Sequence, residues 1–202
     1  MMACPSSEVK PKTKPEIPEV TQLVRLGNFD QCKDRNDIAP DEGEDQHYYA
    51  VRLTAPKFPW VFKGVQYNLR NRPPSGGAKW TCSSEFDHEV KVWKQASSVP
   101  DATPPAETQT IKVAAVPNKE QYPFYDLPLP KAITVNEGES LYVAVQMGGT
   151  VPKTTCIATC KVSEEVPGRI FWSYASAPPF AWEEFKTAFI NIPSISAYGG
   201  RR

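Results

Sequence analysis

The stretch Leu141–Met147, LYVAVQM, sets Leu141, Val143, Val145 and Met147 against Tyr142, Ala144 and Gln146. A period of two sends alternate side chains to opposite faces of a pleated strand, so one face is dry and the other wetter. The same alternation recurs on both sides of this stretch. Tyr49, Val51 and Leu53 alternate with Tyr48, Ala50 and Arg52; Val65, Tyr67 and Leu69 with Gln66, Asn68 and Arg70; Val90 and Val92 with Glu89, Lys91 and Trp93. Weaker candidates lie at 109–116, 131–135, 154–162, 169–174 and 186–192, separated by Pro and Gly breaks at 72–77, 136–138, 148–149 and 167–168. Roughly nine short strands between such breaks predict an all-β, antiparallel β-sandwich of jelly-roll-like type. One short helical turn is expected near Trp182–Phe185.

Composition narrows the classes. The chain has 202 residues, the size of one domain with a tail, and 21 are proline, which argues against long helices. Lys and Arg total 23, as do Asp and Glu, so no global field gathers nucleic acid or anionic lipid, and no nucleic-acid partner is expected. No apolar run reaches the roughly 18 residues of a spanning helix. Residues 1–27 read as a flexible Pro/Lys-rich tether that buries too little surface to offset its ordering entropy. Residues 28–45 read as an acidic connector, with seven carboxylates against Lys33 and Arg35. Residues 46–193 form the expected sandwich and 194–202 a C-terminal tail. Within the sandwich, 97–130 carries seven prolines and reads as long loops flanking an edge strand.

The five cysteines are Cys4, Cys32, Cys82, Cys156 and Cys160. If Cys156 and Cys160 share a strand, their Cα atoms lie about 13 Å apart, beyond the roughly 7 Å a disulfide spans. Each then pairs elsewhere, with Cys32 and Cys82 as partners. If they bond each other, CIATC is a tight loop instead. Reduced core thiols in a cytosolic protein are the third reading. No second close pair accompanies Cys156 and Cys160, so no zinc site is expected.

Ala3, Cys4 and the polar Pro-rich stretch after them resemble the start of a mature bacterial lipoprotein: a small residue, the acylated cysteine, then a stalk. That resemblance implies lipidation at Cys4 as the sole link to a membrane. It also implies residence on the extracellular face of a bacterial cell, outer-membrane-anchored or secreted, since Pro5 replaces the Asp that retains such proteins at the inner membrane. A lipoprotein signal carries a basic start and an apolar run before its cysteine, whereas Met1, Met2 and Ala3 precede Cys4 here.

Catalytic signatures are scarce. His47 and His88 lie far apart in sequence, and no G-x-S-x-G elbow marks a nucleophile. Glu183 and Glu184 are adjacent and diverge, unlike the paired acids of a glycosidase. Gly76-Gly77 and Gly148-Gly149 lack the Lys and Ser/Thr of a phosphate loop. The acidic connector departs from the calcium-loop pattern at Ile38. A non-catalytic chain without a cofactor is expected.

Aromatics are the suggestive feature, with five Trp, eight Tyr and nine Phe. Trp93 shares the polar parity of Glu89 and Lys91, and Tyr142 and Gln146 also face outward. Trp60 and Trp182 sit in Pro-rich, loop-like surroundings. Trp60, Trp93, Tyr142, Gln146 and Trp182 are therefore the candidate ligand-binding residues, while Trp80 and Trp172 are expected to fill the core. The whole pattern resembles secreted bacterial β-sandwich modules of the carbohydrate-binding or adhesive type. It implies a polysaccharide or surface-protein partner. The alternatives are a self-associating structural subunit of an extracellular coat, pairing through strand edges, and a hydrolase without a recognisable motif.

Overall fold

A computed structural model describes residues 23–27, 35–38, 46–72, 81–150, 153–161, 168–185 and 191–201. In chain order the strands are β1 (Val24–Gly27), β2 (Arg35–Ile38), β3 (Gln46–Leu53), β4 (Trp60–Arg70), β5 (Thr81–Cys82), β6 (His88–Gln95), β7 (Gln109–Val113) and β8 (Phe124–Val135). They continue as β9 (Ser140–Thr150), β10 (Lys153–Thr154), β11 (Cys156–Lys161), β12 (Ile170–Ser173), β13 (Glu183–Glu184), β14 (Asn191–Pro193) and β15 (Ile195–Arg201). No helix occurs among the described residues.

The strands form two sheets. The first holds β1, β15, β4, β11 and β14, with β8 added to β4 and β2 to β11. The second holds β13, β12, β3, β9, β10 and β5, with β6 beside β9 and β7 beside β6. All pairings are antiparallel except β10 with β5. The chain passes repeatedly from one sheet to the other, so sequence neighbours face each other across the core, as in a jelly-roll-like sandwich.

Alternation explains the core. From β3, β6 and β9 come Tyr49, Val51, Val90, Val92, Leu141, Val143, Val145 and Met147. From β4 and β15 come Trp60, Phe62, Val65, Tyr67, Leu69, Ile195 and Ala197, and all are buried in one cluster between the sheets. The LYVAVQM strand is central because β3 and β6 flank it on either side.

Several expectations are corrected. The segment after Ser194 is β15, not a tail: Ile195 and Ala197 point into the core while Ser196 and Tyr198 alternate outward, and β15 pairs β4 from Tyr67 to Trp60. Val24–Gly27, assigned to the tether, is a strand paired with β15 because Leu26 packs on the core. Arg35–Ile38, inside the acidic connector, pairs with β11. The turn expected near Trp182–Phe185 contains β13, extended by its pairing with β12. The weak 131–135 candidate is the end of β8, whose Pro128 and Pro130 are tolerated because β8 pairs on one side only among the described residues. Residues 186–190 of another candidate lie outside the described residues.

Strand β11 decides the cysteine question. Cys156 and Cys160 do share a strand, and Cys156 is bonded to Cys82, 74 residues away. Cys160 is disulfide-bonded as well. Cys4, Cys32 and Trp80 lie outside the described residues. The Cys82–Cys156 disulfide is compatible with an oxidising, extracytoplasmic compartment.

Candidate recognition face

The register of β12, β3, β9, β6 and β7 lays out the outer face of the second sheet row by row. One row runs Ser173, Tyr48, Gln146 across the first three strands, because Ser173 pairs Tyr48 and Tyr48 pairs Gln146. It continues into Glu89, whose backbone N–H donates to Gln146 Oε1 at 3.0 Å, and Lys112, which lies opposite Glu89. The next row is Phe171, Ala50, Ala144, Lys91 and Thr110. The third brings Arg52, Tyr142 and Trp93 together. Neighbouring strands lie about 4.8 Å apart, so each row is a line of adjacent groups.

The aromatic half of this face is closed. Trp93 and Tyr142 stack with ring centroids 5.5 Å apart and planes 13° from parallel. Phe171, Phe180, Tyr48 and the flanking Trp182 complete a second hydrophobic cluster outside the main core. Three polar tips tie to the end of β6 and the segment after it. Trp93 Nε1 donates to Gln95 Oε1 at 2.6 Å, the Tyr142 hydroxyl to the Ser97 carbonyl at 2.6 Å, and Trp182 Nε1 to the Asp101 carbonyl at 3.1 Å. The Phe180 N–H donates to the Ala102 carbonyl at 2.7 Å. Burial pushes the Tyr142 hydroxyl up to about 12, with Arg52 opposing and Asp101 adding to the rise.

The polar half is open. Glu89, Lys91 and Gln146 are half-buried and Lys112 is exposed. Lys91 Nζ sits 2.9 Å from Glu89 Oε2 and 5.5 Å from the Tyr48 ring centroid. That lysine's hydrogen bond holds the Glu89 carboxyl below the usual range, against partial burial. Burial raises the Tyr48 hydroxyl, and the Glu89 charge adds to the rise. A cleft of about 410 Å³, lined by Asp87, His88, Glu89, Lys112, Val113, Ala114 and Gln146, opens at the end of the polar row. The row therefore offers carboxylate, ammonium and amide groups beside an aromatic mound, while the buried Tyr48 directs its hydroxyl at Glu89.

The structure separates the sequence candidates. Gln146 lies on the open polar row, and Trp182 covers the mound while keeping part of its ring accessible. Trp93 and Tyr142 do face away from the main core, but they are 1% and 0% exposed because residues 174–182 fold over them. Trp60 is no loop residue. It begins β4 and is buried between the sheets, its strand pairing Val135 on one side and Arg201 on the other. Sequence reading missed Lys112 and Phe180. Glu89 stood in the alternating pattern without a partner to mark it.

His88 is buried between the sheets. A carbonyl only accepts, so the 3.2 Å contact to the Phe86 carbonyl places the proton on Nδ1. Nε2 then accepts from the Tyr67 hydroxyl at 2.6 Å. Burial pulls its pKa below the ordinary value, only partly offset by the Phe86 carbonyl and Asp87. Tyr67 stacks on Tyr125 with centroids 4.8 Å apart, and burial raises both hydroxyls, Tyr125 to about 12. Among the described residues no group of three or more His, Cys, Asp or Glu is placed to hold a metal ion. Comparison with known proteins finds no matching family model, curated protein or solved structure.

Proposed function

We propose that this chain is a non-catalytic, extracytoplasmic recognition module that binds a surface polysaccharide through the polar row Gln146–Glu89–Lys112, with Trp182 at the edge of the aromatic mound as a further contact. The observation that carries the reading is that Gln146, Glu89 and Lys112 lie in one row and line the same open cleft of about 410 Å³. Glu89 accepts from sugar hydroxyls, Gln146 and Lys112 donate, and the Trp182 indole takes the apolar ring face. Lys91 and Lys112 balance Asp87 and Glu89, which favours a neutral glycan.

Attachment through a lipid at Cys4 is part of the same proposal. Cys82, Cys156 and Cys160 are all disulfide-bonded, and Cys32 lies three positions before Arg35, the residue paired with Cys160. Cys4 is then the cysteine left for acylation.

A polysaccharide array probed with the wild type and with the Gln146→Ala, Lys112→Ala and Trp182→Ala variants tests the binding reading. Each variant is expected to weaken the strongest signal at least tenfold. Equal signals from wild type and all three variants would refute it.

A further inference from the structure

A cavity of about 190 Å³ opens where the ends of β1 and β3 meet the junction of β14 and β15. Leu26, Val51, Leu53, Ile192 and Ile195 form its apolar wall. Alternation turns Val51 and Leu53 to the inner face of β3 and Ile195 to the inner face of β15, so the two sheets themselves supply that wall. Burial grades from floor to mouth: Val51, Ile192 and Ile195 are buried, Leu26 and Leu53 half-buried, and Thr54 and Arg169 at the rim exposed. Native interiors keep few voids larger than a water molecule, because wall atoms facing a gap lose their contacts. Water is a poor filler here, since it needs polar partners and the floor has none to give. A dry apolar cavity of about 150 Å³ takes a benzene. By that scale this one holds an aliphatic chain of about six to eight carbons.

The mouth supplies charge. Arg169 directly precedes β12, and its carbonyl accepts from the Arg52 N–H at 2.8 Å, so two arginines that both line the cavity are neighbours on adjacent strands. Arg52 donates through Nε to Ser140 Oγ at 3.0 Å, and its Nη1 lies 3.9 Å from where a Cβ on Gly168 would stand. Among the described residues neither guanidinium has an ion pair. Glu184 comes close as well, but its Oε1 accepts from the Gly168 N–H at 2.6 Å. Like charges on facing strand positions destabilise a sheet, and an anion at the mouth relieves that repulsion.

We propose that this cavity binds a medium-chain aliphatic carboxylate, its tail against Val51, Leu53, Ile192 and Ile195 and its head group held by Arg169, with Arg52 adding charge. Arginine suits that head group because its planar fork donates two parallel N–H bonds to one carboxylate. A plain alkane leaves the two cations uncompensated, and a small anion leaves the apolar wall bare. None of these residues belongs to the proposed polysaccharide row, so the two readings stand or fall separately.

Nitrogen–proton NMR titration of the full chain with butanoate, hexanoate and octanoate, and with hexan-1-ol as the uncharged control, tests it. The expected result is saturable shifts at the Val51, Leu53, Thr54, Arg169 and Ile195 backbone amides. Affinity should rise about fourfold per added methylene until the cavity is full. Hexanoate should bind about tenfold more tightly than hexan-1-ol. Arg169→Gln should remove most of that advantage and leave hexan-1-ol binding unchanged; unchanged alcohol binding also shows that the variant is folded. Equal affinity for hexanoate and hexan-1-ol, affinity independent of chain length, or wild-type hexanoate binding in Arg169→Gln would each overturn the proposal. Shifts confined to Glu89, Lys112 and Gln146, or no shift with any probe, would overturn it too.

Discussion

Lowering the pH from 8 to 5.5 should destabilise this protein through His88. The ring is 3% exposed, and both of its nitrogens are engaged in the neutral form. A second proton on Nε2 would displace the Tyr67 O–H and leave a charge between the sheets. Tyr67 and Tyr125 face it from β4 and β8, and Asp87, Glu89 and Lys112 lie near the mouth of the cleft. The unfolded chain takes up that proton near pH 6.5, while burial holds the folded pKa lower. In the window between the two the unfolded state binds more protons, so stability is complete above about 6.5 and falls as pH drops below it. The loss approaches about 1.4 kcal/mol per pH unit, hence up to about 1.4 kcal/mol between pH 8 and 5.5. Urea unfolding followed by tryptophan fluorescence at both pH values measures it, with His88→Gln as the reference that cannot titrate. The reasoning requires a clearly smaller pH-dependent loss in His88→Gln. An equal loss in both proteins would refute it, since His88 would then contribute nothing to the acid response.

Other outcomes follow from the same packing. Breaking the Cys82–Cys156 bond with paired serines should cost about 4 kcal/mol by the loop-entropy estimate for a 74-residue separation, read as a lower urea midpoint. Peptide mapping without reduction should recover a Cys32–Cys160 peptide, because β2 pairs Arg35 with Cys160 just downstream of Cys32; a Cys4–Cys160 peptide would contradict both that pairing and the proposed acylation. Trp93→Ala should lower stability by about 3–5 kcal/mol, as expected for a large buried aromatic, and a fully stable variant would show the second cluster to be dispensable. Gly199→Ala should destabilise strongly, because its Cβ would meet the Val61 carbonyl, a backbone atom that cannot swing away; thermal unfolding decides it.

Period-two alternation was enough to identify β3, β4, β6 and β9, because one face of each supplies the apolar residues of the main core. It failed where tertiary pairing, and not local pattern, makes the strand. β1 and β2 are four residues each and extended by β15 and β11, and β13 is two residues held by β12. The outward parity of Trp93, Tyr142 and Gln146 was legible; the cover over the first two was not. That cover includes Trp182, 89 positions beyond Trp93, whose ring centroid lies 6.3 Å from the Trp93 ring. Alternation distinguishes the two faces of a strand but cannot say whether the outer one meets water. Lys112 reaches the row only through the pairing of β6 with β7.

The most direct test is calorimetric titration of wild type and Gln146→Ala with the oligosaccharide that binds best on the array. The account predicts at least a tenfold weaker affinity in Gln146→Ala with an unchanged unfolding midpoint, because its amide oxygen binds the Glu89 N–H on a half-buried surface and not in the core. Unchanged affinity at unchanged stability would contradict it.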